Sequence, residues 1–274
     1  MRTISSCVIS WILILISIVP AVARTVVSAT TGEPVVYASV GVLNKTLGTV
    51  TDSTGTFRLT VTREMLDDTL RISCVGYETR DFRLRDLMAY GDTIRLAEVT
   101  VVLNEVVVKP HNIKHKTAGR KGKGGFVYIE IESDRAAGQG VAIPLEVKNV
   151  AWLKELGFCV IDNDATVGHM KFRVNVYRKT DGEYLIENMP PVYFDFYKSN
   201  LKDEWFTYVF PEEMMLEKGE YYIELEFLEN FRGKRFIMKS KPLTGRTRYR
   251  YASQSQWETL PFGAPIYIDY DATE

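Results

Sequence analysis

The stretch Tyr221-Tyr222-Ile223-Glu224-Leu225-Glu226-Phe227 places apolar side chains at every second residue. A period of two predicts a β-strand with one face in a core and the other in water. Two carboxylates on one strand face would also suit acid/base chemistry, as in glycosidases. The regular alternation favours the simpler expectation that Glu224 and Glu226 lie on a solvated outer face.

The same alternation recurs along most of the chain, for example in Phe57–Val61 and Phe172–Val176. Turn signals separate the predicted strands: Thr31–Pro34, Asp52–Gly55, Thr180–Glu183 and Glu217–Glu220. Helical patterns are short and restricted to Arg63–Asp68, Leu84–Tyr90 and Pro211–Leu216. Many short strands with little helix predict an all-β protein built from sandwiches or barrels.

The N-terminus has the pattern of a secretory signal. A basic Met1-Arg2 precedes the apolar run Val8–Val19, and Ala21-Val22-Ala23 follows as an A-x-A cleavage site. We therefore predict a signal peptide over residues 1–23, cleavage after Ala23, and export to the periplasm or surface of a bacterium. No later stretch is apolar and long enough to predict a membrane-spanning helix in the mature chain.

The 274 residues are 46% hydrophobic and 25% charged, with a net charge of −1. This composition is that of a globular protein and gives no overall basic field to recruit nucleic acid. Six lysines and arginines without an acid lie in Lys109–Gly125. We predict domains over residues 24–98 and 126–274, joined by a connecting strand and a basic flexible linker over residues 99–125. Contact of this basic segment with a phosphate-bearing surface is the alternative.

Three stretches in the first domain and one in the connecting strand after it occur in a characteristic order: Thr31–Val40, Gly48–Leu59, Leu70–Thr79 and Leu103–Val108. Together they resemble the carboxypeptidase regulatory-like domain, a seven-stranded β-sandwich. The resemblance covers about residues 24–96. It implies an accessory domain of the kind that often precedes outer-membrane receptors dependent on TonB, and it implies no reaction.

The second segment is similar, less sharply, to larger jelly-roll-like β-sandwich modules of exported bacterial proteins. The stretches that carry this similarity include Lys171–Tyr177, Glu204–Val209 and Lys218–Glu226.

Cys74 and Cys159 lie in apolar strand patterns, one in each domain, so we expect two buried free thiols rather than a disulfide.

Motifs for catalysis are absent from the sequence. His111, His115 and His169 are not followed by Glu in a His-x-x-Glu pair, and the chain has no H-E-x-x-H, C-x-x-C, G-x-S-x-G or P-loop motif. Asp162-Asn163-Asp164 resembles the start of a calcium loop but lacks its later Gly and Glu, so a turn closed by a side chain is expected. The sequence therefore predicts a protein that is not an enzyme and has no cofactor or metal.

Aromatic residues give the main indication of a ligand. The candidate ligand contacts are Trp152, Trp205, Arg248 and Tyr249, because exposed rings on a sandwich face can stack on sugars, although such rings also favour strands for packing alone. We expect a non-catalytic cell-envelope module that binds a partner protein or a glycan. A carbohydrate-binding protein that uses the second sandwich is the closest alternative. A small outer-membrane barrel or an uncharacterised hydrolase is the more distant one.

Overall fold

The computed structural model describes residues 21–99, 112–122, 125–187, 189–242 and 246–273. Most of the predicted signal sequence, the segment Leu103–Val108 and His111 lie outside these residues. Strands dominate both parts of the chain, which confirms the all-β class. Within these described residues the short helical elements are α1 (Leu84–Ala89) and three 3₁₀ turns, Arg63–Met65, Ser133–Arg135 and Lys198–Asn200.

The first domain is a sandwich of two small sheets. Its strands are β1 (Ala21–Ser28), β2 (Ser39–Val42), β3 (Gly48–Val50), β4 (Thr56–Thr60), β5 (Thr69–Ser73), β6 (Arg80–Arg83) and β7 (Thr93–Leu96). Sheet A has the order β4-β1-β7 and sheet B the order β3-β2-β5-β6. Phe57, Leu70, Ile72 and Ile94 are among the side chains that fill the core between them.

Local sequence signals in the first domain have the geometry that they predict. Gly32 and Gly55 have φ of 75° and 73°, which only glycine adopts without strain. Asp52 closes its turn by accepting hydrogen bonds from the backbone N–H of Thr54 at 2.8 Å and of Thr56 at 3.0 Å. The predicted cleavage site falls inside β1, where Val22 is 2% exposed and belongs to the core. Cleavage after Ala23 would remove Val22 from that core.

The second domain is larger and contains the remaining strands. They are β8 (Ile113–Gly119), β9 (Val127–Ile131), β10 (Gly140–Val147), β11 (Ala151–Cys159), β12 (His169–Thr180), β13 (Glu183–Ile186), β14 (Val192–Tyr197), β15 (Trp205–Leu216), β16 (Gly219–Phe227), β17 (Phe236–Pro242), β18 (Arg248–Arg250), β19 (Glu258–Thr259), β20 (Phe262–Gly263) and β21 (Ile266–Thr273).

Two large sheets of this domain face each other. Sheet C has the order β13-β12-β16-β10-β18-β19, with β14 also paired to β12, and sheet D has the order β15-β11-β21-β8. A third, smaller sheet E has the order β20-β17-β9. Phenylalanines form the centre of the core, where Phe158 of sheet D lies 5.5 Å from Phe172 of sheet C between ring centroids. Alternate side chains of each strand therefore point either into this core or to an outer face.

Two sequence predictions about local structure are wrong. Pro211–Leu216, predicted as a helical turn, lies within β15, because its pairing with β11 overrides the local pattern. Part of the predicted flexible linker, Ile113–Gly119, is β8, which pairs with β21 along seven residues. A basic, glycine-bearing composition describes an extended segment but does not show whether a sheet edge is available to pair with it. Cys74 and Cys159 do not form a disulfide, and Cys159 is buried whereas Cys74 is half-buried.

Candidate functional site

The outer face of sheet C carries five buried polar residues that we call the interdomain charge cluster: Arg173, Asn175, Glu224, Glu226 and Arg250. Arg173 donates from Nε and Nη2 to Glu226 Oε2 at 2.8 and 2.6 Å. Arg250 donates from Nε to Glu224 Oε1 at 2.6 Å and its Nη2 lies 2.8 Å from Glu226 Oε1. Asn175 Nδ2 donates to both carboxylates at 2.7 Å. Two guanidinium groups thus neutralise two carboxylates.

The first domain covers this cluster. Arg173 reaches across the boundary and donates from Nη1 to the carbonyl oxygen of Tyr37 at 2.7 Å and from Nη2 to Ser39 Oγ at 2.9 Å. Gln254 Nε2 donates to Ser73 Oγ at 2.8 Å from the loop after β18. Buried hydrogen bonds to a charged donor are strong and directional, so these contacts fix how the two domains dock.

Close approach of the backbones at this boundary depends on glycine. A Cβ added to Gly41 of β2 would lie 1.9 Å from the carbonyl oxygen of Ser253, a contact that real Cβ atoms do not make. Gly140 has a similar role inside the cluster, because a Cβ there would lie 1.7 Å from Glu224 Oε1. Both glycines are required for space rather than for backbone conformation.

The prediction that Glu224 and Glu226 lie on a solvated face is wrong, since both side chains are 0% exposed. Burial raises the pKa of Glu224. Burial also opposes ionisation of Glu226, but the guanidinium groups of Arg173 and Arg250 outweigh it and lower the pKa of Glu226. The alternation correctly predicted that both side chains point away from the core of their own domain. It carried no information about the second domain that covers that face.

A cleft of about 210 Å³ lies between the domains beside the cluster. Its lining includes Cys74, Tyr77, Arg173 and Glu187. This volume is below the roughly 300–1,000 Å³ of typical small-molecule sites. Burial raises the pKa of the Cys74 thiol, so it is protonated near neutral pH and is not an activated nucleophile. The interdomain contacts described above therefore serve to hold the two domains together.

The outer face of sheet D is different: Trp205 and Glu155 are half-buried and Lys121 is exposed, while Tyr267 and Asp269 are each 7% exposed. The register aligns Thr207, Gly157 and Tyr267 in one row across three strands, and Val209, Glu155 and Asp269 in the next. Residues that pair directly in antiparallel strands share a face of the sheet. We call the group formed by Trp205, Tyr267, Glu155, Asp269 and Lys121 the aromatic–acid face.

Two rings form the centre of the aromatic–acid face. The half-buried Trp205 lies 5.4 Å from Tyr267 between ring centroids. Gly157 makes room for the tyrosine, because a Cβ there would lie 2.2 Å from the ring of Tyr267. The Tyr267 hydroxyl donates to Glu155 Oε1 at 2.5 Å. Burial and this bond to Glu155 raise the pKa of Tyr267 to about 12.

A lysine covers these groups. Lys121 Nζ lies 2.5 Å from Asp269 Oδ2 and 4.4 Å from the centroid of the Tyr267 ring. Asp269 also accepts a hydrogen bond from Thr117 Oγ1 at 2.6 Å, and His115 lies 3.3 Å from Asp271 in the neighbouring row. These basic residues come from the predicted linker, which supplies one edge of the face.

The four predicted ligand contacts are not brought together. Trp152 and Trp205 belong to sheet D, whereas Arg248 and Tyr249 belong to β18 of sheet C. Trp152 is 3% exposed, and Tyr249 is buried with its hydroxyl donating to Gln139 Oε1, so neither ring offers a free face. Arg248 is half-buried and its guanidinium lies 5.4 Å from the centroid of the Tyr222 ring. Trp205 is the candidate that a ligand can reach together with other functional groups.

Comparison with known proteins identifies the first domain. The family model described as "CarboxypepD_reg-like domain" matches residues 25–108. Residues 25–108 form a CarboxypepD_reg-like domain. The seven strands and two sheets described above are the sandwich that the sequence motifs predicted for this domain.

One curated relative is a TonB-dependent receptor, SusC, of Bacteroides thetaiotaomicron. It is 30% identical over 145 residues, which cover 53% of this chain and 13% of the receptor. The chain thus spans a small part of that receptor's length. Both matches are to proteins described without a catalytic activity, a regulatory-like domain and a receptor.

A solved structure of the infectious bursal disease virus Gt strain aligns with 92% of this chain and 63% of its own, at 8% identity and a TM-score of 0.27. A TM-score at this level says nothing about fold or function. Among the described residues, no helix has the length and apolar content that a membrane crossing requires. The same residues contain no group of three or more His, Cys, Asp or Glu side chains that could hold a metal ion.

Sequence reasoning missed most of the residues that matter here. Glu155 lies 112 residues from Tyr267 in the sequence, and only the pairing of β11 with β21 makes it a neighbour of Tyr267 and Asp269. The side-chain-closed turn predicted at Asp162–Asp164 is present, and Asn163 closes it, since its Oδ1 accepts a hydrogen bond from the N–H of Ala165 at 2.9 Å. The alternation Tyr267-Ile268-Asp269-Tyr270-Asp271 was a usable signal for an outer face rich in functional groups.

Proposed function

We propose that this protein is a non-catalytic module of the bacterial envelope whose second domain binds a glycan through the aromatic–acid face. The observation that carries the proposal is the half-buried ring of Trp205, which lies 5.4 Å from the ring of Tyr267 and beside the row that holds the carboxylates of Glu155 and Asp269. Aromatic rings pack against the C–H faces of a sugar, and carboxylates accept hydrogen bonds from its hydroxyl groups. Sites for small-molecule ligands typically combine an apolar surface with a small number of polar groups in fixed positions.

The CarboxypepD_reg-like domain has a structural role in this proposal. It covers the interdomain charge cluster on sheet C and leaves the outer face of sheet D to the ligand. The match to a TonB-dependent receptor supports a location in the envelope, where glycans are abundant. Export through a signal peptide cleaved after Ala23 is part of the same proposal.

A glycan array with the full chain tests the proposal. Trp205→Ala should abolish the signal, because it removes the more accessible ring of the pair. Tyr197→Ala is the matched control, since Tyr197 is a 47% exposed aromatic residue of β14 in the other large sheet. Far-UV circular dichroism verifies that both variants fold. An array without binding, or binding that survives Trp205→Ala, would contradict the proposal.

A partner protein is the second candidate, and a different surface favours it. In the part of the chain that the structure describes, β9 pairs only with β17 and forms an edge of sheet E. Phe126 and Tyr128 beside this edge are 77% and 55% exposed. An open edge with exposed rings suits the addition of an extended strand from another protein. A photo-crosslinker at Tyr128, with Tyr197 as the control position, should trap such a partner in cells.

A further inference from the structure

We propose that the aromatic–acid face is an ammonium site that the protein's own Lys121 occupies, so that its ligand is an amine-bearing sugar that displaces this lysine. The inference rests on the proposed glycan function and names the class of glycan. The position of Lys121 carries it: Nζ lies between the carboxylate of Asp269 and the ring of Tyr267. An ammonium over an aromatic face and beside a carboxylate is bound by both groups at once.

The receiving groups are fixed by their surroundings. Asp269 has 9% of its side chain exposed and is held by Thr117, while Tyr267 is held by its bond to Glu155 and by the space above Gly157. A site whose groups are already oriented binds a ligand without the cost of ordering them.

The occupant is far less constrained than the site. The Lys121 side chain is 49% exposed and lies just beyond β8, which ends at Gly119. Its four-carbon stem is flexible, so the ammonium can leave while the backbone stays in place. A buried carboxylate and ring with a half-exposed cation are the arrangement expected of a site with an exchangeable occupant.

Charge then decides which sugar can replace the lysine. A neutral sugar that displaced Lys121 would take the ammonium from the buried Asp269 and leave it the imidazole of His115 at 3.7 Å, in a row next to Asp271 and beside Glu155. Leaving a buried charged group without a partner is costly. A sugar with a free amine restores the charge, and its ring can pack against Trp205. An acidic sugar would be repelled by the three carboxylates.

Isothermal titration of the full chain with two matched tetrasaccharides tests the inference. One is the β-1,4-linked glucosamine tetramer with free amines, and the other is its fully N-acetylated counterpart. We expect the acetylated tetramer to bind about tenfold more weakly or worse, because it lacks the charged donors. Lys121→Ala should strengthen binding of the amine tetramer about fivefold, since it removes the competing ammonium. Asp269→Asn should abolish the preference for the amine.

The possible outcomes separate the two levels of the argument. Equal binding of both tetramers, lost in Trp205→Ala, would overturn the amine inference and leave the glycan function intact. Amine binding unchanged by both Lys121→Ala and Asp269→Asn would overturn the inference as well, because the site would lie elsewhere. A tetralysine peptide that binds as tightly as the amine tetramer would show that the site reads ammonium groups of proteins rather than sugars. A null array together with null titrations would remove both proposals.

Discussion

Removing one carboxylate from the interdomain charge cluster should destabilise the protein more than any comparable change at the surface. Glu226→Gln keeps the size of the side chain but leaves Arg173 and Arg250, both 4% exposed, with only Glu224 to balance them. Removing one partner of a buried ion pair typically costs about 3–5 kcal/mol. The new side-chain amide would retain some of the hydrogen bonds, so we expect a loss of about 3 kcal/mol in the free energy of unfolding.

Urea unfolding followed by tryptophan fluorescence measures this loss. Asp81→Asn is the matched control, because it makes the same carboxylate-to-amide change in the exposed pair with Arg71 and should cost at most about 1 kcal/mol. Hydrogen exchange adds a specific readout: the amides of β2 should exchange faster in Glu226→Gln, since Arg173 then holds Ser39 less firmly. Equal stability of the two variants, with unchanged exchange in β2, would refute the view that the cluster fixes domain docking.

Three further predictions concern other parts of the chain. Gly41→Ala should cost about 1–3 kcal/mol in the free energy of unfolding because its Cβ meets backbone across the domain boundary, while Gly91→Ala, with open space around it, is the control; equal melting temperatures would contradict this. Burial of the Asp52 carboxyl raises its pKa, but the hydrogen bonds that it accepts outweigh burial and bring the pKa below its ordinary value of 3.8. The stability that Asp52 contributes is therefore complete above pH 3.8 and is lost as the pH falls through the lower pKa of the folded state. Urea unfolding of the wild type and Asp52→Asn should therefore differ at pH 6 and converge toward pH 2, and a difference that persists at pH 2 would count against it. Mass spectrometry of the exported protein should find a chain that begins at Arg24, after cleavage at Ala23, and a mass that includes the apolar run would rule this out.

Several features of this protein follow from short stretches of sequence, because the forces that set them act locally. Side chains two residues apart on a strand share a face, so Phe57–Val61 and Phe172–Val176 could be identified as strand segments. The turn at Asp52 and Gly55 depends only on a side-chain acceptor and a positive φ. The CarboxypepD_reg-like domain could be identified from its ordered motifs because each motif is a short local stretch of sequence.

The tertiary structure alone decided which outer faces stay open and which residues meet on them. The period of two predicted that Glu224 and Glu226 point away from the core of the second domain. Only the docking of the first domain buries them beside their arginine partners. Lys121 belongs to a segment that composition describes as a linker, yet pairing of β8 with β21 brings it to Asp269, 148 residues away. Contacts at such separations depend on strand order and sheet packing, which involve the whole chain at once, and no local pattern encodes them.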